Sequence, residues 1–153
     1  RMFFVSPNHE KLRLDAALRK RLEVAGVEFH EFDSLDATLH GKEILTLTDC
    51  LYMTRIQIEH NTSADTTALN EMDLSPFHIS PARLEKLRDY APILHPFPRD
   101  SVVQEIPTVI DADPRAMYFR QARNGMWARA ALLVHMFDVA DQLLFMHGDF
   151  YGS

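Results

Sequence analysis

The sequence predicts an α/β fold, an open parallel sheet of about four strands with flanking helices that ends in a long carboxyl-terminal helix. Short apolar runs alternate with segments whose apolar residues recur at helical spacing, which is the pattern of βαβ units. The first run, Met2–Val5, is continuously apolar, as in a strand buried on both faces. From Arg115 to about Phe145 the spacing is helical. These observations favour a three-layer, Rossmann-like arrangement.

A helix and a second strand are predicted after the first strand. The turn residues Ser6-Pro7-Asn8 end the first strand. Leucines recur at helical spacing from Leu14 to Leu22, and Gly26 fits the position just past the end of that helix. Residues Val27–Phe32 alternate as the second strand.

The next segment is predicted to hold a short helix and the third strand. Asp33 or Ser34 can cap a helix that runs through Leu39 and ends at Gly41. The third strand is Cys50–Thr54, which places the single cysteine inside an apolar strand.

A polar loop, a helix and the fourth strand follow. The segment Asn61–Ser75 is predicted to be a mobile loop beside the end of the third strand. Ser80-Pro81 combines a capping residue with proline at the first helical position, which opens a helix to about Asp89. Ala91–His95 is the fourth strand.

The last predicted helix passes through Asn124-Gly125. Glycine inside a helix costs only about 1 kcal/mol relative to alanine, which neighbouring packing can outweigh. The predicted organisation is therefore an α/β domain over residues 1–112, a long helix over 113–145 and a tail over 146–153.

Composition restricts the class of protein. The chain has 153 residues, 46% hydrophobic and 25% charged, which is typical of one soluble globular domain. The formal net charge is −6 without a basic run, which argues against a nucleic-acid partner. No apolar run is long enough for a membrane span, so no membrane partner is expected. A single cysteine, Cys50, favours a reducing, cytoplasmic setting. Because Arg1 leads directly into a strand, further sequence is expected upstream.

The segment His95-Pro96-Phe97-Pro98-Arg99 directly follows the fourth strand. Each proline fixes its own φ and lacks an N–H, so strand pairing cannot continue here. Carbonyl groups of such a turn suit a small ligand that brings donors, such as an amine or an amide. The bond between Phe97 and Pro98 is a candidate cis peptide. A proline-rich loop that merely ends a strand remains the alternative.

A second polar group follows the third strand. Arg55, Gln57 and Glu59 alternate, so in an extended chain they share one face. The guanidinium of arginine matches a carboxylate, the amide of glutamine adds donors, and the glutamate can hold the guanidinium in place. An ordinary solvated strand end is the alternative.

Three motifs, taken in order, resemble those of one family. They are the strand end with Arg55, the turn His95–Arg99, and the segment Asp113-Pro114-Arg115-Ala116-Met117-Tyr118-Phe119-Arg120-Gln121. From Met2 to about Val139 the chain resembles the carboxyl-terminal, aspartate-binding half of the catalytic chain of aspartate carbamoyltransferase.

The resemblance implies roles for eight residues. The implied substrate-binding residues are Arg55, Gln57, Pro96, Phe97 and Pro98, and the supporting residues are Glu59, His95 and Arg99. In the family, the arginine and glutamine hold the carboxylates of aspartate, and the turn offers carbonyls to the amine and the carbamoyl group. Leucine usually stands where Phe97 is, and the following bond to proline is cis. No catalytic side chain, cofactor or metal is implied, because positioning and charge stabilisation carry the reaction.

The implied reaction converts carbamoyl phosphate and L-aspartate to N-carbamoyl-L-aspartate and phosphate, in pyrimidine biosynthesis. The family's phosphate-binding segment is absent, so an amino-terminal half is the expected partner and the chain alone is expected to be inactive. A homo-oligomer is left open. Ile58 and His60 stand where the family usually has basic residues. Pro96 follows His95 where the related ornithine enzymes have cysteine, which favours aspartate.

Two other functions are compared with this one. The missing phosphate segment also fits a non-catalytic ligand-binding or regulatory module derived from the same fold. A nucleotide-binding domain is disfavoured, because no glycine-rich loop follows Val5. The eight histidines show no metal spacing, and His135 is expected to be a packing residue of the last helix. Arg129 on that helix is expected to pair across a domain boundary, and part of the helix's apolar stripe to be exposed without the other half.

Overall fold

The structure is a computed structural model and describes residues 1–55, 72–100 and 104–142. The strands are β1 (Met2–Val5), β2 (Phe29–Phe32), β3 (Thr38–Leu39), β4 (Lys42–Glu43), β5 (Leu51–Tyr52) and β6 (Ile93–Leu94). The α-helices are α1 (Ala16–Val24), α2 (Pro81–Lys86) and α3 (Tyr118–Phe137). Short 3-10 turns lie at Glu10–Leu12, Ile44–Leu47, Ser75–Phe77 and Thr108–Ala112.

Four strands are arranged in two parallel pairs. β1 pairs with β2, and β5 pairs with β6 in the register that places Tyr52 opposite Leu94. A parallel bridge from Ile93 to Ala116 extends the second pair. The α/β class with parallel strands and a long last helix is confirmed. Within the described ranges no ladder joins the two pairs.

Helix α1 is fixed at both ends by the residues that the sequence indicates. The Asp15 carboxylate accepts the N–H of Leu18 at 2.7 Å, a typical N-cap. Gly26 follows the helix with φ of 65°, the left-handed conformation that glycine adopts without steric cost. Glu31 of β2 then ties the helix to the sheet, because its carboxylate accepts from Leu14 N–H at 3.0 Å and pairs with Arg19.

The predicted helix over residues 33–41 is wrong. Thr38 pairs with Glu43 and Leu39 with Lys42, so the segment is an antiparallel hairpin of β3 and β4. His40 and Gly41 both have positive φ, at 51° and 75°, which is the geometry of a type I′ two-residue turn. Gly41 is therefore a turn residue and not the end of a helix.

Helix α2 begins at Pro81 as predicted, α3 begins at Tyr118 and not near Arg115, and both helices end earlier than predicted. The Ser80 hydroxyl accepts the N–H of Arg83 at 3.3 Å, but α2 ends at Lys86 and not near Asp89. Helix α3 continues through Gly125 as predicted. It ends at Phe137 instead of near Phe145, because Asp138 takes the left-handed conformation with φ of 51°.

The buried core lies on the β5–β6 side of the molecule. Its buried members are Leu35, Leu45, Leu51, Met53, Ile79, Leu87, Ala91, Ile93, Ile106, Ile110 and Tyr118. Cys50 precedes β5 and is exposed, so its predicted place inside the strand is wrong. None of the described helices is both long and apolar enough to cross a membrane.

Candidate functional site

The segment from His95 to Arg99 forms the predicted proline turn at the end of β6. The Phe97–Pro98 peptide bond is cis, as predicted, and Phe97 has a positive φ of 57°. A non-glycine residue rarely adopts this φ, and such residues cluster at functional sites where surrounding contacts hold them. At Phe97 these contacts are the hydrogen bond from its N–H to His95 and the packing of its ring against Tyr118 and Phe119.

Side chains bind three backbone N–H groups of the turn. His95 N–H donates to Gln121 Oε1 at 2.9 Å, Phe97 N–H donates to His95 Nδ1 at 2.9 Å, and Asp100 N–H lies 3.2 Å from both carboxylate oxygens of Glu105. The prolines have no N–H to donate. Among the described residues, none donates a hydrogen bond to the carbonyl oxygens of residues 96–98. Within the described part of the chain, these carbonyl oxygens therefore have no protein donor, which would suit a ligand with N–H groups.

His95 is buried, with 1% of its surface exposed. Its Nε2 lies 2.8 Å from Glu105 Oε1, although the ring N–H is not well aligned with that oxygen. Burial lowers the pKa of His95 from its ordinary value, and the Glu105 carboxylate opposes that shift. Because burial dominates, the imidazole is neutral near pH 7, and its Nδ1 supports the turn by accepting the N–H of Phe97.

Arg99 is bound within the protein. Its guanidinium pairs with both oxygens of Asp111, at 2.6 and 3.0 Å, and lies over the rings of Phe97, Tyr118 and Phe119 at 5.9, 5.2 and 5.7 Å. Such a bidentate pair with stacked aromatic rings fixes the turn against the start of α3. The supporting role predicted for Arg99 is consistent with this geometry.

Arg55 lies just beyond β5, on the same side as the proline turn. Because β5 and β6 are parallel, their carboxyl ends meet at one edge of the sheet. Tyr52 of β5 pairs with Leu94 of β6. Arg55 lies three residues beyond Tyr52, and Phe97 lies three residues beyond Leu94. Gln57 and Glu59 lie outside the described residues. The structure thus brings Arg55 and the turn to one edge and leaves the other two roles as predictions.

Gln121 links the three elements of this edge. Its Oε1 accepts from His95 N–H, while its Nε2 donates to the hydroxyl of Tyr52 at 3.2 Å. The residue lies on α3 and ends the third motif of the sequence. One amide therefore joins β5, the turn and the helix.

An open cleft of about 780 Å³ lies between the two strand pairs, and Arg55 stands on its lining. Phe3 and Val5 of β1 and Tyr52 of β5 also line it. The cleft lining does not include the residues of the proline turn. Because the turn carries the carbonyl groups that suit an amine or amide, the strand-end edge and not the cleft is the candidate site. Within the described ranges no His, Cys, Asp and Glu side chains cluster as a metal site.

Comparison with known proteins identifies the family. The family model of the aspartate/ornithine carbamoyltransferase Asp/Orn binding domain matches residues 2–136. The chain belongs to the aspartate/ornithine carbamoyltransferase family. The predicted resemblance is therefore confirmed.

Two curated relatives show how much of a carbamoyltransferase the chain spans. The multifunctional protein CAD of Squalus acanthias is 39% identical over 85% of this chain and 5% of its own length. The aspartate carbamoyltransferase catalytic subunit of Aliivibrio fischeri strain MJ11 is 35% identical over 87% of this chain and 38% of its own length. The chain thus spans well under half of the relatives that it matches.

A solved carbamoyltransferase has the same fold. Aspartate transcarbamoylase from Trypanosoma cruzi, in complex with carbamoyl phosphate and aspartate, matches with a TM-score of 0.70 and 35% identity. The match covers 86% of this chain and 39% of that one. The ligand-free form of the same enzyme matches with a TM-score of 0.66.

Three residues that organise this candidate site were not singled out from the sequence. Asp111 holds Arg99, Glu105 contacts His95, and Tyr118 donates a hydrogen bond to Asp111. Burial raises the pKa of Tyr118, so its hydroxyl stays protonated and can donate. Of the three, only Tyr118 lay in a recognised motif, and no spacing pattern marks the other two.

Proposed function

We propose that the chain is the aspartate-binding part of an aspartate carbamoyltransferase. That enzyme converts carbamoyl phosphate and L-aspartate to N-carbamoyl-L-aspartate and phosphate, a step of pyrimidine biosynthesis. The observation that carries the proposal is the position of Arg55 and the acceptor-rich proline turn at one edge of the β5–β6 pair. A site for aspartate requires a cation that binds its carboxylate and carbonyl groups that accept hydrogen bonds from its amine.

The proposed role of each residue follows from its charge and its hydrogen-bonding groups. Arg55 binds a carboxylate of aspartate through its planar guanidinium, with Gln57 adding donors and Glu59 steadying the arginine. Carbonyl groups of Pro96, Phe97 and Pro98 accept hydrogen bonds from the aspartate amine and the carbamoyl amide. His95 and Arg99 hold the turn from inside, as their contacts with Phe97 and Asp111 support.

The reaction needs no protein nucleophile on this proposal. The aspartate amine attacks the carbamoyl carbon, a C–N bond forms, the C–O bond to phosphate breaks, and the proton lost by the amine passes to the leaving phosphate. Carbonyl acceptors orient the amine for attack, and cations must stabilise the leaving phosphate. We assign the phosphate-binding groups to an amino-terminal half, because the matched enzymes are more than twice as long as this chain.

Aspartate is the proposed substrate within a family that also includes ornithine enzymes. Pro96 follows His95 where the ornithine enzymes carry cysteine, and the relatives named here are aspartate enzymes. Because these relatives are named as enzymes, they do not favour the alternative that the chain is a non-catalytic module. The cytoplasmic setting and a homo-oligomer remain predictions.

Calorimetric titration with N-(phosphonacetyl)-L-aspartic acid, which the Trypanosoma cruzi enzyme binds, tests the proposal. The protein is assembled with a carbamoyl phosphate-binding half, and Arg55→Ala is compared with wild type. Loss of charge-assisted hydrogen bonds to a carboxylate is expected to weaken binding about 100-fold.

Arg21→Ala is the matched control, since Arg21 is an exposed arginine on α1. It is expected to bind as wild type does. If the wild-type assembly binds no analogue, or if Arg55→Ala binds as tightly as Arg21→Ala, the proposed function is wrong.

A further inference from the structure

Glu105 is a buried carboxylate to which the proposed function gives no role. It is 4% exposed, and a buried charge is costly unless polar partners surround it. Its carboxylate accepts from the N–H of Asp100 at 3.2 Å, and the Nε2 of His95 lies 2.8 Å away without good hydrogen-bond alignment. Both partners belong to the proline turn or its immediate end.

The contacts of His95 determine which ring nitrogen carries the proton. Nδ1 accepts the N–H of Phe97, so it must be unprotonated. In a neutral imidazole the proton then lies on Nε2, where the nearest acceptor is the Glu105 carboxylate. A proton on Nδ1 would face the N–H of Phe97 and break that hydrogen bond.

The hydrogen bond from Phe97 N–H to His95 Nδ1 connects the tautomer of His95 with the carbonyl groups of the turn. Phe97 has φ of 57° and stands between two prolines, so its N–H is the only backbone donor of residues 96–98. Loss of its acceptor would free the residue to leave a rarely populated conformation. The carbonyls on either side would then turn with it.

We propose that Glu105 is a positioning residue, which holds His95 as the Nε2–H tautomer and thereby keeps the carbonyls of Pro96 and Phe97 directed toward the substrate. The effect of Glu105 on substrate binding rests on the proposed function. The tautomer itself does not, because it depends only on contacts inside the protein.

The first test needs no variant. Two-bond ¹H–¹⁵N correlation spectra of the ¹⁵N-histidine-labelled protein, in its assembled form, report the protonation of each ring nitrogen. We expect His95 to show a protonated Nε2 and an unprotonated Nδ1 at pH 7. A protonated Nδ1 overturns the proposal.

A double-mutant cycle tests whether Glu105 acts through His95. Glu105→Gln removes the charge and allows the glutamine amide to face His95 Nε2 with its NH₂ group. We therefore expect a mixture of the two His95 tautomers. We also expect N-(phosphonacetyl)-L-aspartic acid to bind about tenfold more weakly. His95→Asn keeps an acceptor for Phe97 N–H, in an Asx turn, but cannot reach Glu105. In that background Glu105→Gln is expected to change binding by less than twofold.

Equal effects of Glu105→Gln in both backgrounds would mean that it does not act through His95. Unchanged tautomer and unchanged affinity in the single variant would also overturn the proposal. Glu85→Gln, at an exposed glutamate of α2, is the control for loss of a carboxylate. If wild type shows the expected tautomer but binds no analogue, the proposed function fails while the tautomer assignment stands.

Discussion

At the scale of single residues, the candidate site consists of side chains that accept hydrogen bonds from backbone N–H groups. Gln121, His95 and Glu105 each accept a hydrogen bond from an N–H group of residues 95–100, and no donor among the described residues reaches the carbonyl oxygens of residues 96–98. The two prolines made the turn predictable, because proline restricts φ and removes donors wherever it occurs. Glu105 was not predictable, because chain folding alone brings it to His95 and no local spacing indicates the contact.

The Arg99–Asp111 pair should give the protein a measurable acid sensitivity. Hydrogen bonds from Arg99 hold the pKa of Asp111 below its ordinary value, with a further contribution from Tyr118. A carboxyl group with a lowered pKa in the folded state stabilises the fold above its unfolded pKa, and this stabilisation is lost as pH falls through the folded pKa. Part of the free energy of unfolding should therefore disappear below about pH 4.

Asp111→Asn tests this expectation by urea denaturation at several pH values. The variant should be about 1 kcal/mol less stable at pH 7, since the pair is partly exposed, and should lose less stability than wild type between pH 5 and 3. Asp141→Asn, at an exposed position after α3, is the control. A variant with the wild-type pH profile would show that the pair contributes nothing to acid sensitivity.

At the scale of elements, the strands and the long helices followed from apolar periodicity, whereas the hairpin did not. Residues 38–43 are too few for a periodic signal, and His40 takes a positive φ that its residue type does not indicate. Helix ends were also placed too late, because Asp138 and Leu87 stop α3 and α2 through backbone conformation. Boundaries depend on tertiary contacts that local pattern does not contain.

Gly125 offers a prediction at this scale. A β-carbon built at Gly125 would meet only the Arg129 guanidinium Nη1, at 3.5 Å, which is ordinary van der Waals contact. Gly125→Ala should therefore raise the free energy of unfolding of the chain by about 0.5–1 kcal/mol, because alanine loses less backbone entropy in a helix. Urea denaturation of both proteins measures the difference.

Gly26→Ala is the contrasting variant. Gly26 has open space around it but a φ of 65°, so alanine should be destabilising there although nothing clashes. If Gly125→Ala also destabilises the chain, then α3 requires glycine for a reason other than the space within this chain.

At the scale of the whole molecule, burial is concentrated on one side and the last helix is exposed. The core surrounds β5 and β6, whereas α1 has no fully buried side chain. Large apolar residues of α3 are more than half exposed, namely Phe119, Met126, Trp127, Leu132, Leu133, Met136 and Phe137. An exposed apolar face of this size is typical of an interaction surface. The sequence predicted this exposure from the family resemblance, and the geometry of the described residues agrees with it.

Fold and family could thus be predicted from the sequence, while the site was predicted only in part. Arg55 and the proline turn lie at one edge because β5 and β6 are parallel neighbours. The pairing of those strands follows from the α/β pattern, but the separation of the two strand pairs by an open cleft does not. Periodicity indicates which segments are strands and carries no information about the distance between pairs.

A crystal structure of the assembled protein with N-(phosphonacetyl)-L-aspartic acid would show whether Arg55 and the proline turn bind the same ligand. We expect an aspartyl carboxylate of the analogue at about 3 Å from the Arg55 guanidinium, with an N–H of the analogue donating to a carbonyl of the proline turn. An analogue bound in the cleft between β1 and β5, away from the carbonyls of Pro96 and Phe97, would contradict it.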